Sequence, residues 1–142
     1  MYITQNPILL DKFFSFSSGN SCGAVVSFAG IVRDYDEGRR VKKLYYECYP
    51  SMAAKMISQL IIQARQKWAV DEIRILHRVG YLKIGETAVA IAVSSAHRDE
   101  AFECCRFLIE HIKKEVPIWK KQSFVDGTSE WVLCNHSMEA VA

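Results

Sequence analysis

Ile112-Lys113-Lys114-Glu115-Val116-Pro117-Ile118-Trp119-Lys120-Lys121-Gln122 places four lysines within nine residues, around a proline and a tryptophan. An apolar pattern runs into it, with Ala101, Phe102, Cys105, Leu108, Ile109 and Ile112 recurring at steps of three and four, which predicts a helix. Lys113 and Lys114 then fall in its last turn, where cations suit the helix dipole. Pro117 has no N–H and disfavours helix at Val116, so the helix stops there. The chain leaves extended, Trp119 packing down while Lys120 points elsewhere. Two lysines can thus converge from two different elements. Crowded ammonium groups lower one another's pKa, and a neutral lysine can act as base or nucleophile. A plain structural reading competes with this one: a solvated basic helix end, the common fate of charge runs.

Outward from this stretch, 142 residues suit one domain with a real core. Half the residues are hydrophobic and 24% charged, a soluble globular composition. No apolar run approaches the ~20 residues that span a bilayer, and no secretory signal is visible at the N-terminus. The formal charge of +2 argues against nucleic acid. The basic residues are clustered nonetheless, at 39–43 and 113–121, which fits a local anionic ligand. An RNA-binding domain suffers further from the lack of an exposed aromatic platform motif. The five cysteines, Cys22, Cys48, Cys104, Cys105 and Cys134, form no CxxC pair or zinc spacing. They read as small buried residues with reduced thiols in the cytoplasm.

Upstream, Asn6-Pro7 marks a helix start, followed by a short face of Leu9, Leu10, Phe13 and Phe14. Ser17 to Ser21 is a loop by composition. Gly23 to Val32 reads as a buried strand, with Gly30 marking a bulge or close approach. A polar loop, Arg33 to Arg40, leads to a strand Val41–Tyr49, and the pair reads as a hairpin with Arg33 at its mouth. Arg33 suits an anionic ligand or a salt bridge to Asp34 or Asp36 equally well. Pro50-Ser51 opens a long helix with a core stripe of Met52, Met56, Leu60, Ala64 and Trp68, beside Ala53, Ile57 and Ile61. Strands follow at Asp71–Val79 and Thr87–Ser95, separated by a turn between Gly80 and Gly85. His97 and Arg98 lie at the start of the next helix, where free N–H groups favour anions, though local capping explains them as well. Beyond the lysines, Gln122–Val125 and Trp131–Leu133 can pair across Asp126-Gly127-Thr128-Ser129. Residues His136 to Ala142 give no clear signal. Hairpins with interspersed helices indicate an α+β fold with a largely antiparallel sheet. A ferredoxin-like sandwich is the simple alternative.

Several ordered motifs carry a resemblance. They are Gly23-Ala24-Val25-Val26 through Gly30-Ile31-Val32-Arg33; Leu44-Tyr45-Tyr46-Glu47-Cys48-Tyr49 with Met52-Ala53; His77-Arg78-Val79-Gly80; Ser94-Ser95-Ala96-His97-Arg98 with Ala101-Phe102; the lysine stretch; and Asp126-Gly127 before Trp131-Val132. Together the chain resembles the large, catalytic subunits of molybdopterin synthase, the MoaE family. Gln122 stands where that family commonly has glutamate. The resemblance implies an α/β hammerhead-type domain with a small antiparallel β subdomain. It implies a homodimer flanked by small ubiquitin-like sulfur-carrier subunits. The implied reaction is the conversion of cyclic pyranopterin monophosphate to molybdopterin. Two dithiolene sulfurs come from the thiocarboxylate at the carrier's C-terminal glycine, with no metal and no bound cofactor at this step. It implies catalytic roles for Lys113 and Lys120, and a pterin phosphate pocket of Arg33, His97 and Arg98, some of them from the opposite protomer. A second reading is a non-catalytic module that binds a phosphate-bearing ligand or a ubiquitin-like tail. It accounts for the arginines and lysines without chemistry.

Overall fold

Nine residues in a row, Thr87–Ser95 (β7), are buried on both faces, which makes this strand the centre of a sheet. In the computed structural model, which describes residues 2–15 and 19–133, β7 is flanked by two antiparallel neighbours. One is β5 (Ile73–Arg78), which in turn pairs in parallel with the short β1 (Ile3–Thr4). The other is β2 (Ala24–Ile31). Two long helices, α2 (Pro50–Lys67) and α3 (Arg98–Glu115), pack together, and α3 lies on β7 and β2.

A second sheet carries β3 (Tyr35–Asp36), β4 (Arg39–Cys48), β8 (Ile118–Phe124) and β9 (Ser129–Leu133) in that order, with β6 (Gly80–Lys83) also on β4. Only Val79 separates β5 from β6, so the chain passes from one sheet to the other there. The architecture is α+β, two largely antiparallel sheets with helices against the first. It is the hammerhead-type arrangement expected, and not the single sheet of a ferredoxin-like sandwich.

Several local expectations change. β2 and β4 do not form a hairpin: β2 pairs with β7, and β4 with β6 and β8. The polar loop folds back instead as β3 onto the start of β4. Its two-residue turn, Glu37-Gly38, has φ of +49° and +81°, the doubly positive pattern that matches strand twist in tight hairpins. As an outer strand, β2 is only half covered, leaving Val25 and Ile31 exposed. Its pairing register does shift between Gly30 and Ile31, and a Cβ on Gly30 would meet Val89 Cγ1 at 2.8 Å. Residues 80–83, read as a turn, form β6, because Leu82 is fully buried against β4.

The first helix, α1, is a single turn, Leu10–Phe13. The Asn6 N–H is taken by Thr4 Oγ1, so Pro7 precedes the helix instead of opening it. In α2 the buried face is Ala53, Ile57, Leu60 and Ala64, with Met52 exposed. Burying the Ile57 and Leu60 side chains contributes about 1.5–3 kcal/mol each. In α3 Phe102 is likewise exposed, while Phe107 takes its place in the core. Among the described residues all four cysteines are free thiols; Cys104 and Cys105 are buried, but Cys22 and Cys48 are only half covered. Cys134, residues 17 and 18 of the serine loop, and residues 136–142 lie outside the described residues.

Candidate active site

Helix α3 ends where the proline demands. Val116 takes extended angles (φ −79°, ψ 122°), and β8 begins at Ile118. Lys113 is thereby fixed in the last helical turn. Lys120 is held by strand pairing, opposite Tyr46 of β4 and Val132 of β9. Period-two alternation puts Lys120 on the face of β8 that carries the buried Ile118, Gln122 and Phe124. The expectation for this bend is reversed. Lys120 is on the inward face, while Trp119 lies on the other, its ring 6.1 Å from that of Tyr49.

The two lysines meet at one cavity of 120 Å³, which Arg33, Asp36, Tyr46, His77 and Gln122 also line. Arg33 follows the end of β2 and is largely exposed, 3.8 Å from Asp36. That spacing in water is a weak pairing, easily exchanged for a ligand anion. His97 and Arg98 are absent from this wall. His97 is the N-cap of α3 and Arg98 its first residue, both exposed. Fifteen residues of helix separate Arg98 from Lys113, about 22 Å at 1.5 Å per residue. The chain therefore brings together Arg33, Lys113 and Lys120, and leaves His97 and Arg98 at the far end of the helix.

His77, Asp36 and Gln122 were not anticipated as site residues. His77 continues the inward face of Ile73 and Ile75 on β5, a period-two signal present in the sequence. It is 6% exposed, its ring edge-on to Tyr46 at 5.2 Å. Its Nδ1 lies 2.9 Å from the Arg78 carbonyl oxygen, an acceptor, which assigns the proton to Nδ1 and leaves Nε2 bare. Burial pushes its pKa down to about 4. The Lys113 charge acts in the same direction, and the Arg78 carbonyl opposes them. At neutral pH the cavity thus holds a neutral imidazole beside the basic residues Arg33, Lys113 and Lys120. A larger trough of 490 Å³ has aromatic walls, and the described residues that line it are Glu47, Cys48, Tyr49, Trp119 and Trp131. The ionic chemistry belongs to the smaller cavity. Among the described residues, no cluster of three or more His, Cys, Asp or Glu could hold a metal, and no helix is long and apolar enough to cross a membrane.

A family model described as MoaE protein matches residues 3–115. The chain belongs to the MoaE family. It is 42% identical over 130 residues to a molybdopterin synthase catalytic subunit of Bacillus subtilis, covering 92% of this chain and 82% of that one. It is 45% identical to the catalytic subunit of Thermoplasma volcanium, over 77% and 80% of the two chains. The fold superposes on the crystal structure of molybdopterin synthase from Staphylococcus aureus with a TM-score of 0.85, at 40% identity, covering 92% of this chain and 95% of that one. It also shares the fold of a Helicobacter pylori protein solved as a complex of subunits 1 and 2 of molybdopterin-converting factor (TM-score 0.73, 22% identity, 93% and 88% covered). As a MoaE member the chain is an enzyme of molybdenum cofactor biosynthesis, which sets aside the reading as a non-catalytic binding module.

Proposed function

We propose that the cavity between Lys113, Lys120 and Arg33 is part of the site where cyclic pyranopterin monophosphate receives its two dithiolene sulfurs. The donor is the thiocarboxylated C-terminal glycine of a small ubiquitin-like carrier subunit. The observation that carries this reading is the convergence of two lysines, from a helix end and a strand, on one polar cavity beside an arginine. Arginine forks suit phosphate oxygens, and lysine supplies a movable proton. The thiocarboxylate sulfur displaces an oxygen substituent from a substrate carbon: the C–S bond forms as a C–O bond breaks, the leaving oxygen takes a proton from a lysine ammonium, and an acyl thioester to the carrier results. Water then cleaves the acyl–sulfur bond, leaving sulfur on the pterin and a free carboxylate on the carrier. Lys113 handles the carrier tail and acid–base work. Lys120 positions the substrate and transfers protons; the two assignments can be exchanged. The Helicobacter pylori complex is consistent with a small partner subunit here.

A cavity of 120 Å³ holds a phosphate or one ring edge, whereas complete ligand sites run to about 300–1,000 Å³. We therefore take the working enzyme to be a homodimer of single-domain chains in the cytoplasm, in which His97 and Arg98 of the opposite protomer complete the phosphate pocket. The test is to mix the protein with thiocarboxylated carrier and cyclic pyranopterin monophosphate and to assay dithiolene product. Lys113→Ala and Lys120→Ala should each abolish product while keeping the parent's circular dichroism. Near-normal turnover by either variant overturns the assignment.

A further inference from the structure

Gln122 sits on the inward face of β8 between Lys120 and Phe124, and only 3% of it is exposed. Its Nε2 donates to Asp36 Oδ2 at 3.0 Å. An ionised carboxylate can only accept, so this bond decides which end of the amide faces Asp36. The carbonyl end faces elsewhere. Oε1 is buried and has no hydrogen-bond partner among the described residues, a situation that destabilises the fold if nothing enters to satisfy it. Gln122 lines the same cavity as Arg33, Lys113 and Lys120.

Those three cations suit the anionic part of a ligand. An amide oxygen does not: its partial negative charge repels phosphate oxygens and asks for an N–H or O–H. The cavity therefore combines a receptor for charge with a receptor for a neutral donor. We infer that Gln122 Oε1 is a substrate-contacting acceptor for a ring N–H or hydroxyl of the bound ligand, and that Asp36 is the positioning residue that holds the amide in this orientation. The inference rests on the reading of this cavity as the pterin phosphate site. It makes the site selective for a phosphorylated, donor-bearing heterocycle over a plain anion. The same Asp36 carboxylate lies 3.8 Å from Arg33, so the amide that reads a donor and the guanidinium that reads charge share one neighbour.

Two measurements on the purified protein test this: the KM for cyclic pyranopterin monophosphate in the reaction with thiocarboxylated carrier, and the affinity for inorganic phosphate by calorimetry. Gln122→Met keeps length and removes the acceptor. It should raise the KM about tenfold while phosphate affinity stays within about twofold. Gln122→Glu sets a second carboxylate against Asp36 and should raise the KM too. Adding Asp36→Asn to it supplies a donor facing the new carboxylate, and should recover the KM to within about threefold. A glutamine that only supports the fold would lower the melting temperature of Gln122→Met and leave its KM unchanged; that result overturns the inference. So does a loss of phosphate affinity as large as the change in KM. A double variant that does not recover removes Asp36 from its role. Lys120→Ala, run alongside, separates two failures. If it turns over normally, the cavity is not the reaction site and the inference falls with that reading. If it is dead while Gln122→Met matches the parent, the reading stands and only this inference falls. Should Gln122→Met melt too early to assay, the glutamate pair decides alone.

Discussion

His77 is neutral in the folded protein because burial and the nearby Lys113 charge both oppose a further positive charge in the cavity. Its folded pKa of about 4 lies below the ordinary 6.5. The unfolded chain therefore binds a proton that the folded one refuses between those values. The stabilisation is complete above pH 6.5 and is lost as pH falls toward 4, by about 3 kcal/mol in all. His77→Gln should remove this dependence. Urea midpoints at pH 7 and pH 4.5 should fall further for the parent than for the variant, and equal drops would show that His77 does not titrate this way. The buried thiols follow the same physics: desolvation pushes Cys104 and Cys105 up to about 11, away from nucleophilic use at neutral pH. At this scale the clustering of the lysines and the burial of Cys104 and Cys105 were legible from residue type, whereas Cys22 and Cys48, read as buried, are half covered. Gln122 was not legible, because its significance depends on a partner, Asp36, that lies 86 residues away.

At the scale of the elements, β8 shows how alternation overrides intuition about individual side chains. A tryptophan would be expected to pack inward and a lysine to face water. Ile118 and Phe124 are buried to 2% and 3%, and with a period of two they carry Lys120 and Gln122 to the same face. The bulge at Gly30 is a second case. A side chain there would collide with Val89 on the neighbouring β7, so Gly30→Ala should destabilise the fold by about 1–3 kcal/mol. A urea midpoint unchanged from the parent would show that Val89 can yield. Because Gly30 and Val89 both line the cavity, the same variant should also weaken binding of inorganic phosphate. The long elements were legible because their signals are local. Pro50 opens α2, Pro117 closes α3, and an unbroken apolar run makes β7. The short ones were not. α1 and β6 are decided by what they touch, Asn6 by Thr4 and Leu82 by β4.

For the whole molecule, about 22 Å of α3 separates His97 and Arg98 from Lys113. If the phosphate pocket is completed across a dimer, two dead proteins should rescue each other. Lys120→Ala and Arg98→Ala, mixed and allowed to exchange subunits, should regain about a quarter of parental activity, since half the dimers are mixed and one of their two sites is intact. No recovery, with exchange verified by mass spectrometry, would place both residues in one chain's site or in none. By itself, the sequence determined the start of α2 and the end of α3, the strand character of Thr87–Ser95, the α+β class, the family likeness and the identity of the cationic side chains. All of these rest on local periodicity, on proline geometry or on motifs. Tertiary structure alone decided that β2 pairs with β7 and not β4, that Lys120 faces the cavity, and that Asp36 orients Gln122. The physical reason is that pairing partners and cavity walls are chosen by burial between segments distant along the chain, and no local pattern encodes which of several compatible strands will lie alongside.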